Sequence, residues 1–174
     1  MATKRSMWIC FGILVFAAWV LAPAIQAGAE TLNYKFYRYV IKEEHFRIGD
    51  VEGHALAFTI RGGFCVFENG EVATLRSGVT VDVIKHSGSS LSYETITFED
   101  GSTIIIKSQG TLEGVAGKGL SSGRITREII KGTGRFEGIK GTGTQKIKYL
   151  PVEKGEPGQK GIGEATLTYN LPAK

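Results

Sequence analysis

Two acidic residues stand where strand alternation could aim them at one interior. Along Leu91 to Phe98, a period of two puts Leu91, Tyr93, Thr95 and Thr97 on one face and Ser92, Glu94, Ile96 and Phe98 on the other. On the preceding segment Val79, Val81 and Val83 share a face opposite Thr80, Asp82, Ile84 and His86. A carboxyl turned into an apolar cavity is desolvated and its pKa rises, which suits acid or base work. On that ground Glu94 is the candidate catalytic residue. Turned outward, Glu94 and Asp82 are ordinary surface charges. Both faces are mixed in character, which leaves the direction open, and the surface reading is favoured.

The other reactive side chains give weaker patterns. Beyond the N-terminal segment the histidines are His45, His54 and His86. A zinc site calls for three or four ligands with short-range pairs such as H-x-x-x-H. His45 and His54 flank a turn with Asp50 and Glu52, while His86 ends another strand, so loop-end histidines in water are the favoured reading. Glu43-Glu44 reads as a wet face. Cys65, within Gly62-Gly-Phe-Cys-Val-Phe67, is a small hydrophobe in an apolar strand, with no basic partner to lower its pKa. No G-x-S-x-G elbow occurs. Gly132, Gly134 and Gly138 have the wrong spacing for a phosphate cradle, and a strand follows them where a helix is needed. No metal or cofactor is expected.

The elements that must position these residues are strands. Short runs rich in Val, Ile, Thr, Phe and Tyr alternate with Gly, Asn, Asp and Ser clusters. Strands are predicted near Asn33–Phe46, His54–Phe67, Glu71–His86, Leu91–Glu99, Ser102–Leu112, Arg124–Ile130, Phe136–Leu150 and Gly163–Tyr169. Asn69-Gly70 and Asp100-Gly101 are tight-hairpin signals. His86 to Ser90 reads as a longer polar loop, and Pro151 to Gly161 as a polar final loop. Eight strands in sequence with short connections predict an all-β fold, an eight-stranded antiparallel up-and-down barrel closed against exposed edges.

The N-terminus sets the compartment. Lys4 and Arg5 precede the uncharged apolar run Met7–Val20, and Pro23 and Ala27-Gly28-Ala29 follow. This is the pattern of a secretory signal peptide over residues 1–29, cut after Ala29 or after Ala27, leaving 30–174 as a single domain. The competing reading, a membrane anchor, needs about 20 apolar residues. A secreted or periplasmic location follows, with no stable membrane insertion after cleavage. Losing Lys4 and Arg5 takes the basic residues from 21 to 19 against 17 acids, a net charge of about +2. With no basic run, nucleic acid is not an expected partner. Cys10 leaves too, so Cys65 has no intramolecular disulfide partner.

Two stretches go beyond a generic strand pattern. Phe98-Glu-Asp-Gly-Ser-Thr103 is a hairpin leading into Ile104-Ile-Ile106. Gly132-Thr-Gly-Arg-Phe-Glu-Gly-Ile-Lys-Gly-Thr-Gly143 follows the glycine-rich Gly114 to Gly123. Together they resemble the allene oxide cyclase-like barrel group, which includes the plant allene oxide cyclases and the dirigent proteins. In that group a G-x-G-x-F-x-G-x-x-G segment leads into a late barrel strand. The resemblance implies a calycin-like barrel, often trimeric, with an axial cavity. Its motif is structural and carries no catalytic residue.

The expectation for function is a barrel that binds a small apolar or amphipathic ligand in its axial cavity without turnover. A cyclase or isomerase acting on a flexible apolar substrate, with Glu94 as its polar group, is the alternative. A structural or assembly barrel is the third reading.

Overall fold

The computed structural model describes residues 28–116 and 118–173, and the signal-peptide reading falls almost wholly outside them. Alternating apolar and polar residues become eight strands: β1 (Glu30–Arg47), β2 (His54–Phe67), β3 (Val72–Ile84), β4 (Ser87–Phe98), β5 (Thr103–Val115), β6 (Gly119–Thr133), β7 (Lys140–Tyr149) and β8 (Gly161–Asn170). Each pairs antiparallel with the next, and β1 closes on β8 with Glu30 opposite Tyr169 and Arg38 opposite Gly161. The closed eight-stranded antiparallel barrel expected from the sequence is what forms. A barrel of eight strands has an interior that side chains can fill or that can hold one small ligand.

Three local features depart from the sequence reading. The stretch from His86 to Ser90 is no long loop. Lys85 and His86 take φ of 48° and 86°, the positive values that a tight two-residue hairpin demands, and Ser87 already pairs with Ile84. Neither residue is the usual Asn or Gly, so the turn carried no signal. Second, β7 begins at Lys140, because Gly134–Phe136 form one turn of 3-10 helix ahead of it. Third, β1 has a bulge between Val40 and Lys42. The extra residue flips the phase: Tyr34, Phe36, Arg38 and Val40 face inward before it, and Glu43, opposite Thr59, faces inward after it.

One end of the barrel is solid. Tyr34, Phe67, Phe98, Phe136 and Tyr169 follow one another with ring centroids 4.9, 5.2, 4.8 and 6.5 Å apart, packed with Ile96, Ile104 and Leu167. The glycine motif makes this plug. Gly134 and Gly138 hold φ of 62° and 75°, which lets the chain double back and drop Phe136 into the end of the barrel. Arg135 caps it from outside, stacked on Phe98 and Phe136 and paired with Glu71 and Asp100.

The outer wall is uneven. The face over β1 to β4 exposes Tyr39, Ile41, Phe58, Phe64 and Tyr93. Over β6 to β8 it carries Arg124, Glu128, Lys146, Lys148 and Glu164 instead.

Candidate functional site

Above the aromatic plug the interior changes character. Inward positions of β1, β2, β4 and β6 supply Arg38, Arg61, Glu94 and Arg127, all buried, with Ser77, Ser92, Ser108 and Gln145 filling in around them. Each charged residue sits in phase with apolar core neighbours: Arg38 with Phe36, Arg127 with Ile125 and Ile129, Glu94 with Ile96 and Phe98. The barrel wall therefore turns them inward whether or not they are charged.

Glu94 is the hub of this layer. Its Oε2 accepts from Arg127 Nη2 at 2.7 Å, and its Oε1 lies 3.7 Å from Arg38 Nη1. The hydroxyls of Ser92 and Ser108 donate to Oε1 at 3.4 and 3.5 Å. Arg127 also donates to the Tyr34 hydroxyl. Burial alone would raise the Glu94 pKa, but the Arg127 and Arg38 guanidiniums outweigh it and hold the carboxyl below the usual range. Burial pushes the Tyr34 phenol up, so it stays neutral.

Two sequence expectations are thereby corrected. Glu94, favoured as a surface charge, is 1 % exposed, and its pKa moves down because it faces guanidiniums, not apolar wall. Asp82 does lie on the outside, where its Oδ1 meets His54 Nε2 at 3.0 Å.

Over the polar layer the barrel is hollow. A cavity of about 1430 Å³ opens at the end formed by the β1–β2, β3–β4, β5–β6 and β7–β8 connections. Val40, Ala55, Ala57, Val81, Val83 and Leu120 make its wall, and Arg61 and Tyr149 line it with them. The Arg61 guanidinium stands 5.8 Å from the Tyr149 ring centroid. The final loop borders the mouth through Pro151, Val152 and Gln159. Gln159 anchors that loop, accepting from Leu120 N at 2.9 Å and donating to Leu120 O at 2.9 Å and Leu150 O at 3.3 Å.

Glu43, read from the sequence as part of a wet face, lines this cavity, with Glu52 at its mouth. Glu43 Oε1 accepts from Thr59 Oγ1 at 3.2 Å and its Oε2 lies 3.4 Å from His45 Nε2. Glu44 does face water, paired with Lys42. The β1 bulge separates the two, and no residue type there marks it. His45 and His86 border the mouth, while His54 is held elsewhere by Asp50 and Asp82. Among the described residues no cluster of three or more His, Cys, Asp or Glu is placed to hold a metal. Cys65 is fully buried, and burial pushes its thiol up to about 12. Sequence reasoning missed Arg38, Arg61 and Arg127, though each is a charged residue in the apolar phase of its strand.

The chain forms a closed eight-stranded antiparallel β-barrel, plugged at one end and hollow at the other. Among solved structures the chain is similar to a pterocarpan synthase dirigent protein, with TM-score 0.50, 13% identity, and 85% of this chain and 93% of that one covered. A second pterocarpan synthase dirigent protein aligns at TM-score 0.47 and 14% identity over 85% of this chain and 99% of its own. At these identities the likeness is one of fold. No protein-family model matches the chain, and no curated protein matches it.

Proposed function

We propose that the protein is exported and binds one small apolar or amphipathic molecule in the barrel cavity, without converting it. The observation that carries this reading is the cavity itself. Ligand pockets are typically concave, mostly apolar and fitted with a few placed polar groups. Here an aliphatic wall surrounds Arg61, Tyr149 and Glu43 in a preformed hollow. The fold it shares with a dirigent protein supports it, since an eight-stranded barrel has an interior that can hold one small ligand. Export is supported by the start of β1. Glu30, the residue after the Ala27-Gly28-Ala29 cleavage pattern, already pairs with β8, and its carboxylate accepts from Tyr169 Oη at 2.7 Å. Cleavage after Ala29 leaves that strand whole.

Burial of apolar ligand surface supplies the binding energy, so affinity rises with ligand hydrophobicity. The test is a panel of lipophilic compounds read by thermal shift on material from an exporting host, followed by product analysis of each hit. Stabilisation with the hit recovered unchanged is the expected result. No stabilisation by any compound defeats the reading and moves the structural role to the front.

Glu43 supports a second reading. A carboxylate on the cavity wall beside His45 is placed to act as the acid or base of a cyclase or isomerase, a role that the sequence offered to Glu94. Under it, a hit is chemically altered, and Glu43→Gln lowers turnover by roughly 10²–10⁴-fold while binding is kept.

A further inference from the structure

The buried layer is unbalanced in charge. Arg38, Arg61 and Arg127 are all buried, and the buried acid among the described residues is Glu94 alone. Arg127 is paired through its terminal nitrogens, with Glu94 and with Tyr34, and only its Nε is without a partner among the described residues. Arg38 reaches Glu94 only at 3.7 Å through Nη1, and its Nε and Nη2 have no hydrogen-bond partner among the described residues. Among the described residues Arg61 forms no ion pair, and its Nε is without a hydrogen-bond partner as well. A guanidinium carries five N–H donors and remains charged in any protein environment. Burying one without an anion is unfavourable, and a half-satisfied polar network is a poor way to fill a core.

The position of Arg61 gives this imbalance a direction. It alone of the three borders the cavity, which it shares with an aliphatic wall. Arg38 stands close enough to feel its charge. Glu43 lines the same cavity, but Thr59 and His45 engage its oxygens, and it forms no ion pair with Arg61. Glu52 shares the mouth with Lys85 and Lys118. The protein's own acids therefore leave the Arg61 end of the cavity positive.

We propose that the cavity selects an amphipathic anion, whose carboxylate or equivalent monoanionic group sits on Arg61 and whose apolar body lies along Val81, Val83, Leu120 and Tyr149. Arg38 adds its field from behind. This rests on the cavity-binding reading above and adds the charge of the ligand to it. The planar fork of Arg61 matches a carboxylate in two parallel hydrogen bonds, and the low-polarity surroundings strengthen them.

The experiment is calorimetric titration of the purified protein with four probes: decanoate, decanol, decylamine and acetate. Decanoate should bind about 10- to 100-fold more tightly than decanol, the worth of a charge-assisted hydrogen bond, and decylamine more weakly than both. Arg61→Met should bring decanoate to within a few fold of decanol. It should also keep or raise the melting temperature without ligand, because it removes one of two mutually repelling buried cations. Arg61→Lys, which keeps the charge and loses the fork, should retain part of the preference. Equal affinity for decanoate and decanol in the wild type overturns the anion and leaves cavity binding standing. Failure of all three ten-carbon probes to bind removes the cavity reading itself. Acetate binding as tightly as decanoate would mark a site for free small anions and overturn the amphipathic ligand. A large drop in the unliganded melting temperature of Arg61→Met would make Arg61 a structural cation and overturn the assignment.

Discussion

Glu94 Oε2 accepts a hydrogen bond from Arg127 Nη2 at 2.7 Å across the barrel interior, where both side chains are shut off from solvent. This pair joins β4 to β6, strands that are not hydrogen-bonded neighbours. It marks the boundary between the solid half of the barrel and the hollow half.

Removing one member of such a pair leaves the other charged and buried. Glu94→Gln should therefore lower stability by about 3–5 kcal/mol. Glu94 holds its proton more weakly in the folded chain than in the unfolded one, where the usual value is near 4.5. Its contribution is complete above that pH and is lost as the pH falls through the depressed folded value. Denaturant unfolding at pH 7 and pH 3 checks both points. The gap between wild type and Glu94→Gln should narrow at the lower pH, and a gap that widens would refute the ion-pair account.

His54 ties the β1–β2 turn to β3, with Nδ1 2.5 Å from Asp50 Oδ1 and Nε2 3.0 Å from Asp82 Oδ1. The hydrogen bond to Asp50, joined by that to Asp82, raises the His54 pKa against a smaller opposing effect of burial. Its stabilisation is full below the unfolded value of about 6.5 and is lost as pH rises through the higher folded one. Amide protection at Ile48 and His54, whose N–H groups bond across this turn, reports it. His54→Asn should reduce protection more at pH 5.5 than at pH 9. An equal reduction at both would mean that charge plays no part.

Cys65 has no contact with solvent, and burial disfavours its thiolate. In the native state it should react with thiol reagents only as fast as the barrel opens, and at once after denaturation. Equal rates in the two states would place the thiol at the surface.

The glycine motif should tolerate no β-branched residue. A side-chain carbon at Gly134 would strike the Ser102 hydroxyl, and one at Gly138 would lie 2.8 Å from Pro172 Cγ, both at positive φ. Gly134→Val or Gly138→Val should cost about 1–3 kcal/mol, with or without ligand. A variant that melts like the wild type would remove the plug-forming role of the segment.

The sequence by itself determined the strands and the order in which they pair. Period-two alternation and turn chemistry are local, so β2 is read over the same residues that form it, and the Asn69-Gly70 and Asp100-Gly101 hairpins fall between strands as expected. The signals failed where geometry is local but unmarked, at the Lys85-His86 turn and the β1 bulge. That bulge alone decides that Glu43, and not its neighbours Lys42 and Glu44, faces the cavity. Glu94 was legible as a residue in phase with Ile96 and Phe98, but its environment was not. The guanidiniums that hold it ionised come from β1 and β6, 56 and 33 residues away, and only closure of the barrel brings them together. Apolar patterning fixes which side of a strand is buried. What a buried charge meets there depends on the registers of eight strands at once, and so belongs to the tertiary structure.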